Sequence, residues 1–271
     1  MNNEEIIELI VSKHLPLADE TIKQVIRFCN CSPNFKALGT YVPVVLNKDW
    51  LDSELDPFIA ACKHTKVTPK VWRAEMERQC ERTVKTYLSK KTDDWKIELK
   101  SVAALLMWRG ALAYLSSLDK RGIPVVHMQV KRDEETLVIS TPMPLIESDK
   151  QSLLGYDEII IPDPMLASGM SNANTIRMLN KLGVPNEKIT LLCVVAAPEG
   201  VFHILNRFPG VKIIAAAINE NLNENAYIVG PGLGDAGDKY FCGNRFNNFN
   251  ERLFSSDQWK HLNDLLIKAN K

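Results

Sequence analysis

The stretch that decides the fold runs from residue 158 to residue 175 and reads EIIIPDPMLASGMSNANT. Its opening apolar run predicts a buried strand, with Asp163 at the strand's end. A loop of small residues follows from Ala167 to Ser171, and a helix is predicted to begin near Asn172. Ligands bind beyond the carboxyl ends of parallel strands, and the N–H groups of such a loop and helix N-terminus can close around a phosphate. An ordinary strand–turn–helix connection capped by Ser171 or Asn172 explains the same residues equally well. This stretch alone therefore leaves open whether it binds a phosphate or only connects a strand to a helix.

Short apolar runs on both sides of this stretch predict the rest of a parallel sheet. Such continuous runs are typical of strands that are covered on both faces. Predicted helices over residues 172–182 and 199–207 separate three of the runs, and this alternation indicates βαβ units. The predicted fold class is therefore α/β, a parallel sheet flanked by helices. The other predicted strands are residues 102–107, 123–130, 188–196 and 211–217.

The two ends of the chain carry helical patterns. Residues 1–95 are predicted to be mostly helical, because apolar residues recur at helical spacing around Ile6 and again around Ile22. We expect these residues to form a helical N-terminal extension packed on the core. Residues 96–271 would form the α/β core, with a C-terminal helix within residues 245–271.

A second candidate site lies in a glycine-rich stretch, residues 227–243, which reads YIVGPGLGDAGDKYFCG. Five glycines surround Asp235 and Asp238, and bare backbone of this kind can approach a flat ligand closely. A surface turn is the alternative interpretation. It is less favoured, because the loop is long and contains two acids.

Composition excludes several classes of partner. The 271 residues carry 33 Lys and Arg against 33 Asp and Glu, and this zero balance argues against a protein that wraps nucleic acid. Six scattered cysteines without a Cys-x-x-Cys pair indicate free thiols, and the five histidines do not cluster, so none is assigned a role. The N-terminal residues do not resemble a signal peptide, and no run of eighteen apolar residues occurs. We expect a cytoplasmic protein with no membrane partner.

Two motifs together resemble the uracil phosphoribosyltransferase family, whose members join a pyrimidine base to phosphoribosyl pyrophosphate. Residues 163–171 (DPMLASGMS) resemble the family's phosphoribosyl-pyrophosphate loop, and residues 232–238 (GLGDAGD) resemble part of its uracil-binding region. The pair is highly specific, and weaker similarities follow in family order. These are residues 105–112 (LLMWRGAL), 131–137 (KRDEETL), 196–200 (AAPEG) and 217–228 (AINENLNENAYI). The resemblance covers about residues 60–243 and implies a phosphoribosyltransferase-like sheet.

The resemblance also implies which residues form the site. Phosphoribosyl pyrophosphate would be bound by Arg109, Arg132, Asp163, Pro164, Met165, Leu166, Ala167, Ser168, Gly169, Met170, Ser171 and Asp235. Uracil would be held mostly by main chain at Ile228, Gly234, Asp235 and Ala236, and the catalytic residues would be Asp235, Arg109 and Arg132. Without the resemblance, a structural ion pair explains Arg109 and a solvated charge explains Arg132.

The implied reaction converts uracil and phosphoribosyl pyrophosphate to UMP and pyrophosphate, in pyrimidine salvage. The resemblance implies Mg²⁺, held mainly through phosphoribosyl pyrophosphate without a dedicated protein metal site, because the ion neutralises the departing pyrophosphate. It also implies a homo-oligomer, a dimer or higher.

Two residues depart from the family pattern. Met170 stands where the second glycine of the loop is usual, and a positive φ at that position would strain it by roughly 1 kcal/mol or more. Gly230 is an extra residue before Pro231 and can redirect the uracil loop. Two alternatives therefore stay open: a catalytically weak homologue that binds a nucleotide as a regulator, and a transferase for another base. A third, an RNA-binding regulator on the same fold, is disfavoured by the balanced charge.

Overall fold

A seven-stranded sheet forms the centre of the computed structural model, which describes residues 1–37, 69–93, 101–129, 143–144, 153–218 and 222. The strands are β1 (Phe35–Ala37), β2 (Val102–Trp108), β3 (Val125–Gln129), β4 (Met143–Pro144), β5 (Glu158–Leu166), β6 (Ile189–Ala196) and β7 (Lys212–Ile218). Their order in the sheet is β1-β7-β6-β5-β2-β3-β4, and all neighbours are parallel except β3 and β4. The central strand is β5, and its neighbour β6 has all eight residues buried.

The direction in which the chain crosses the sheet reverses between β2 and β5. From β2 the chain proceeds outward to β3, whereas from β5 it proceeds the other way to β6 and β7. The register pairs β2 with β5 only as far as Ile160, and beyond that residue β5 continues its described pairing with β6. Pro162 and Pro164 lie in this one-sided part, where a residue without an N–H is tolerated. Such a reversal opens a crevice at the carboxyl ends of the strands, which is where open α/β sheets bind ligands.

Helices cover both faces of the sheet. The helices are α1 (Asn3–Val11), α2 (Asp19–Cys31), α3 (Pro69–Asp93), α4 (Leu115–Asp119), α5 (Met170–Lys181) and α6 (Pro198–Arg207). The crossovers β5–α5–β6 and β6–α6–β7 run in one direction and β2–α4–β3 runs in the other. Because such crossovers are right-handed, α5 and α6 lie on one face and α4 on the opposite face, where α3 packs beside it. Along the described stretches, no helix combines the length and apolar character needed to cross a bilayer.

Helix α6 is the most deeply buried helix of the α5–α6 face. Pro198 occupies its first turn, where the fixed φ of proline suits a helix start. The rings of Phe28 and Phe202 meet edge to face at 4.9 Å, and Arg207 forms a 2.9 Å ion pair with Glu4. Helices α1 and α2 thus cover the outer side of α6, which makes it a core helix between the sheet and the N-terminal helices.

The predicted α/β fold with N-terminal helices is confirmed, with differences at the boundaries. β5 continues to Leu166, three residues past its predicted end at Asp163, and α5 begins at Met170, two residues before its predicted start. β1 lies within residues 1–95 and was not predicted, because three residues are too few to show a period. The C-terminal helix predicted within residues 245–271 lies outside the described residues, and the division of the chain at residue 95 stays a prediction.

Candidate functional site

Two chain segments leave the sheet side by side at the crevice between β2 and β5. Strand β2 ends at Trp108 and is followed at once by Arg109, which is half-buried. Strand β5 ends at Leu166 and is followed by residues 167–169, named here the β5–α5 loop. Because neighbouring parallel strands end at the same edge, Arg109 and the β5–α5 loop lie at the same edge of the sheet.

The start of α5 presents backbone N–H groups without helical partners. Gly169 is the N-cap with φ 77°, a left-handed conformation that costs other residues roughly 1–2 kcal/mol. The carbonyl of Gly169 accepts the first helical hydrogen bond, from the N–H of Ala173 at 2.8 Å. The N–H groups of residues 170–172 therefore lack an acceptor within the helix. Together with the helix dipole, they favour an anion at this position.

The β5–α5 loop turns its carbonyl groups inward against α6. The carbonyl oxygen of Ala167 occupies the place where a Cβ on Gly200 would stand. The next carbonyl, that of Ser168, lies 2.7 Å from Nδ1 of His203. In a trans peptide the C=O and the following N–H point in opposite directions, so the N–H groups of Ser168 and Gly169 point away from α6. The loop thus extends the series of free N–H groups at the start of α5.

Asp163 joins the end of β5 to the first turn of α5. Its Oδ1 accepts a hydrogen bond from the N–H of Met165 at 3.1 Å, and its Oδ2 accepts one from Nδ2 of Asn172 at 2.6 Å. Burial raises the pKa of Asp163 to about 6, and the hydrogen bonds from Asn172 and Met165 act in the opposite direction. Asp163 therefore organises the loop, and its contact with the ribose stays a prediction.

A second contact ties α5 to the strand that precedes Arg109. The hydroxyl of Thr175 lies 3.0 Å from the carbonyl oxygen of Ser171 and 3.2 Å from the sulfur of Met107. Next to Met107, the indole Nε1 of Trp108 donates to Nδ1 of His127 on β3 at 3.0 Å. These contacts fix the first turn of α5 and the end of β2 relative to each other, and hence the two sides of the crevice.

Helix α6 also contacts the chain beyond β7. Oε1 of Glu199 accepts a hydrogen bond from the N–H of Leu222 at 2.9 Å, and both residues are fully buried. Burial raises the pKa of Glu199 to about 7, against the hydrogen bond from Leu222. Since Leu222 lies between β7 and the glycine-rich stretch 227–243, Glu199 anchors the approach to the second candidate site.

The structure places one of the two predicted groups of site residues. Those in the described part lie together at one edge of the sheet: Arg109, Asp163, Pro164, Met165, Leu166, Ala167, Ser168, Gly169, Met170 and Ser171. Arg132, Ile228, Gly234, Asp235 and Ala236 lie outside the described residues, and their roles stay predictions.

Sequence reasoning missed the residues behind the loop. Glu199 and Gly200 belong to the AAPEG segment, so attention to that motif would have found them, whereas His203 carries no sequence signal.

The structure shows that Met170 is not strained by a positive φ. The positive φ falls on Gly169, and Met170 is the first residue of α5, with no positive φ.

Comparison with known proteins agrees with this geometry. The chain is similar to the uracil phosphoribosyltransferase of Clostridium tetani, with 43% identity over 145 residues, which are 52% of this chain and 66% of that protein. The uracil phosphoribosyltransferase of Clostridium botulinum strain Hall is 38% identical over the same shares of the two chains. The matched stretch thus spans slightly less than two thirds of these relatives.

A solved structure supports the fold. The AQ2163 protein from Aquifex aeolicus superposes with a TM-score of 0.54 and 21% identity, covering 74% of this chain and 97% of that one. The uracil phosphoribosyltransferase family model matches residues 71–243, which include residues 158–175, the glycine-rich stretch 227–243 and all of β2 to β7. With well over half of its residues matched, the chain belongs to the uracil phosphoribosyltransferase family.

Proposed function

We propose that this protein transfers the phosphoribosyl group of phosphoribosyl pyrophosphate to uracil, with UMP and pyrophosphate as products. Membership of the family and the names of its relatives support this function. The observation that carries it is the β5–α5 loop, whose two inward carbonyls leave a run of N–H groups facing away from α6. That run continues into the start of α5, beside Arg109, at the point where the chain reverses its direction across the sheet.

The N–H groups of residues 168–172 suit the 5-phosphate of the substrate. A phosphate accepts several hydrogen bonds at once, and a helix N-terminus adds a favourable dipole. Arg109, on the other side of the crevice, suits the pyrophosphate, because the planar guanidinium pairs with two phosphate oxygens. We infer the same role for Arg132, and we place Asp235 where base and ribose meet.

The reaction is a displacement at the anomeric carbon. The bond from C1′ to the pyrophosphate oxygen breaks and its electron pair leaves with pyrophosphate, while N1 of uracil forms the new bond and loses its proton. Positive charge develops on the ribose and negative charge grows on the pyrophosphate. Positioning and charge stabilisation therefore supply the catalysis, which is what a run of N–H groups and arginine side chains provides.

Mg²⁺ belongs to the proposal as a partner of the leaving group. In the described part of the chain, no three His, Cys, Asp or Glu side chains form a metal site. The carboxylate of Asp163 already accepts hydrogen bonds on both oxygens. We infer that the ion is held mainly by the oxygens of phosphoribosyl pyrophosphate, where it would neutralise the departing charge.

Uracil would be read by main-chain groups at Ile228 and at residues 234–236. Uracil offers an N3–H donor between two carbonyl acceptors, whereas cytosine replaces that donor with an acceptor and one carbonyl with an amino group. A main-chain loop cannot exchange its own donors and acceptors. Two mismatches of roughly 1–3 kcal/mol each would exclude cytosine by about a hundredfold or more.

The wider setting is proposed on the same basis. We infer a cytoplasmic enzyme of pyrimidine salvage that assembles as a homo-oligomer. The alternative of a catalytically weak, nucleotide-binding regulator rested on Met170 and Gly230. Met170 is the first residue of α5 and has no positive φ, whereas Gly230 lies outside the described residues.

Pyrophosphate release tests the function directly. The protein is incubated with phosphoribosyl pyrophosphate, Mg²⁺ and each nucleobase in turn, and the nucleotide formed is identified. We expect UMP from uracil and at least a hundredfold less product from cytosine. Release with another base alone would reassign the substrate, and no release with any base would refute the transferase.

A further inference from the structure

Two side chains on one face of α6 hydrogen-bond to two separate chain segments, the β5–α5 loop and Leu222 beyond β7. Glu199 and His203 are four residues apart, so they are neighbours on the helix surface. Each is fully buried, and each hydrogen-bonds to a main-chain group.

His203 contacts the β5–α5 loop through a hydrogen bond whose direction is fixed. The carbonyl oxygen of Ser168 can only accept, so Nδ1 of His203 carries the proton across the 2.7 Å distance. The other ring nitrogen, Nε2, is buried and has no hydrogen-bond partner among the described residues. An apolar ring of the same size would fill this space without burying a ring nitrogen that has no hydrogen-bond partner. What the imidazole adds here is one hydrogen bond, which holds the Ser168 carbonyl inward and so orients the N–H of Gly169 outward.

Glu199 makes the corresponding contact on the base side. Its Oε1 accepts from the N–H of Leu222, four residues after the end of β7 and six residues before Ile228. Its Oε2 is buried without a partner in the described part of the chain. The carboxyl therefore fixes the main chain at a single point between the sheet and the proposed uracil loop.

We propose that α6 aligns the two substrates with each other, His203 by positioning the phosphate-binding loop and Glu199 by positioning the base-binding segment. Neither residue touches a reacting atom in this scheme, and the inference rests on the proposed function. Because one turn of one helix carries both anchors, that helix sets the spacing between the β5–α5 loop and the main chain at Leu222.

Paired variants separate hydrogen bonding from packing. His203→Phe keeps the ring and removes the donor, whereas His203→Asn keeps a donor near the position of Nδ1 and removes bulk. Glu199→Leu keeps the size and removes the acceptor, whereas Glu199→Gln keeps an acceptor oxygen. Arg207→Gln, at the surface end of the same helix, is the control for general weakening of α6. The readouts are the Kd of ribose 5-phosphate and the KM of uracil at saturating phosphoribosyl pyrophosphate.

We expect a crossed pattern. His203→Phe weakens ribose 5-phosphate binding about tenfold, the usual effect of one buried hydrogen bond, and leaves the KM of uracil unchanged. Glu199→Leu does the reverse, and His203→Asn and Glu199→Gln recover most of the loss. Arg207→Gln changes neither quantity.

Three outcomes would overturn the inference: His203→Phe binding like the wild type, His203→Asn being the worse of its pair, or each variant affecting both substrates equally. A wild-type chain that binds ribose 5-phosphate but makes no UMP would instead refute the proposed function. The effect of His203→Phe on ribose 5-phosphate binding would still test the phosphate half of the inference.

Discussion

The carbonyl oxygen of Ala167 lies against the Cα of Gly200, in the space that a side chain would fill at that position. A glycine on α6 thus lets the β5–α5 loop approach the helix closely enough for His203 to reach the next carbonyl. We expect Gly200→Ala to displace the loop, with stability reduced by about 1–3 kcal/mol and turnover reduced at least tenfold. Thermal unfolding and UMP formation measure the two effects.

Gly155→Ala is the matched control, because a Cβ at Gly155 would meet nothing within 4 Å. It should change stability by less than about 0.5 kcal/mol. Equal behaviour of the two variants would show that the contact with Ala167 does not constrain the loop.

Gly169 carries two constraints that a second pair of variants separates. Its φ is 77°, and a Cβ there would lie 3.2 Å from Cγ1 of Ile204. Gly122 has a similar φ of 60° but nothing within 4 Å. Gly122→Ala should lose about 1–2 kcal/mol of unfolding free energy from the backbone alone. Gly169→Ala should lose more, and it should also weaken ribose 5-phosphate binding. Equal losses with unchanged binding would contradict the close packing of the loop on α6.

Met170→Gly tests whether the departure from the family pattern matters. Met170 occupies the first position of α5 without a positive φ, so no strain is available for release. Because glycine is a poorer helix residue, we expect a loss of up to about 1 kcal/mol in stability and no gain in kcat/KM. An increase in both would show that the methionine is strained after all.

Glu199→Gln tests the buried carboxyl through the pH dependence of unfolding. Burial raises the pKa of Glu199 in the folded state to about 7, from its ordinary value of 4.5. The contribution of this group to stability is therefore fully present below pH 4.5 and is lost as the pH rises through 7. The variant lacks this loss, so its stability relative to the wild type should rise between pH 5 and pH 8, by on the order of 3 kcal/mol at most. Urea unfolding at several pH values measures the difference, and a difference independent of pH would contradict the raised pKa.

Arg109→Ala tests the pyrophosphate side of the crevice. Loss of one charge-assisted contact of about 1.5–3 kcal/mol should weaken phosphoribosyl pyrophosphate binding by roughly ten- to a hundredfold. Ribose 5-phosphate lacks the pyrophosphate, so its affinity should change little and serves as the control. If calorimetry finds the same affinity for phosphoribosyl pyrophosphate in the variant and the wild type, Arg109 does not bind the pyrophosphate and its role is structural.

Much of the fold was accessible from local patterns. Continuous apolar runs at 102–107, 188–196 and 211–217 predict strands within one residue of β2, β6 and β7, because strands buried on both faces admit few polar residues. The end of β5 was missed, because its Asp163 and Pro164 read locally as a loop. Both residues are tolerated in this part of β5, because its described hydrogen-bonded partner is β6 alone. Which strands pair with each other cannot be read from consecutive residues.

By itself, the sequence determined the α/β class, the family and the loop between β5 and α5, since each depends on consecutive residues or on short motifs. Only the tertiary structure decided which of the loop's groups face the helix and which face away from it. It assigned the positive φ to Gly169 rather than to Met170, and it brought His203 to Ser168 and Glu199 to Leu222. The physical reason is that the direction of a carbonyl and the burial of an ionisable side chain depend on residues that are distant in the chain and adjacent only after folding.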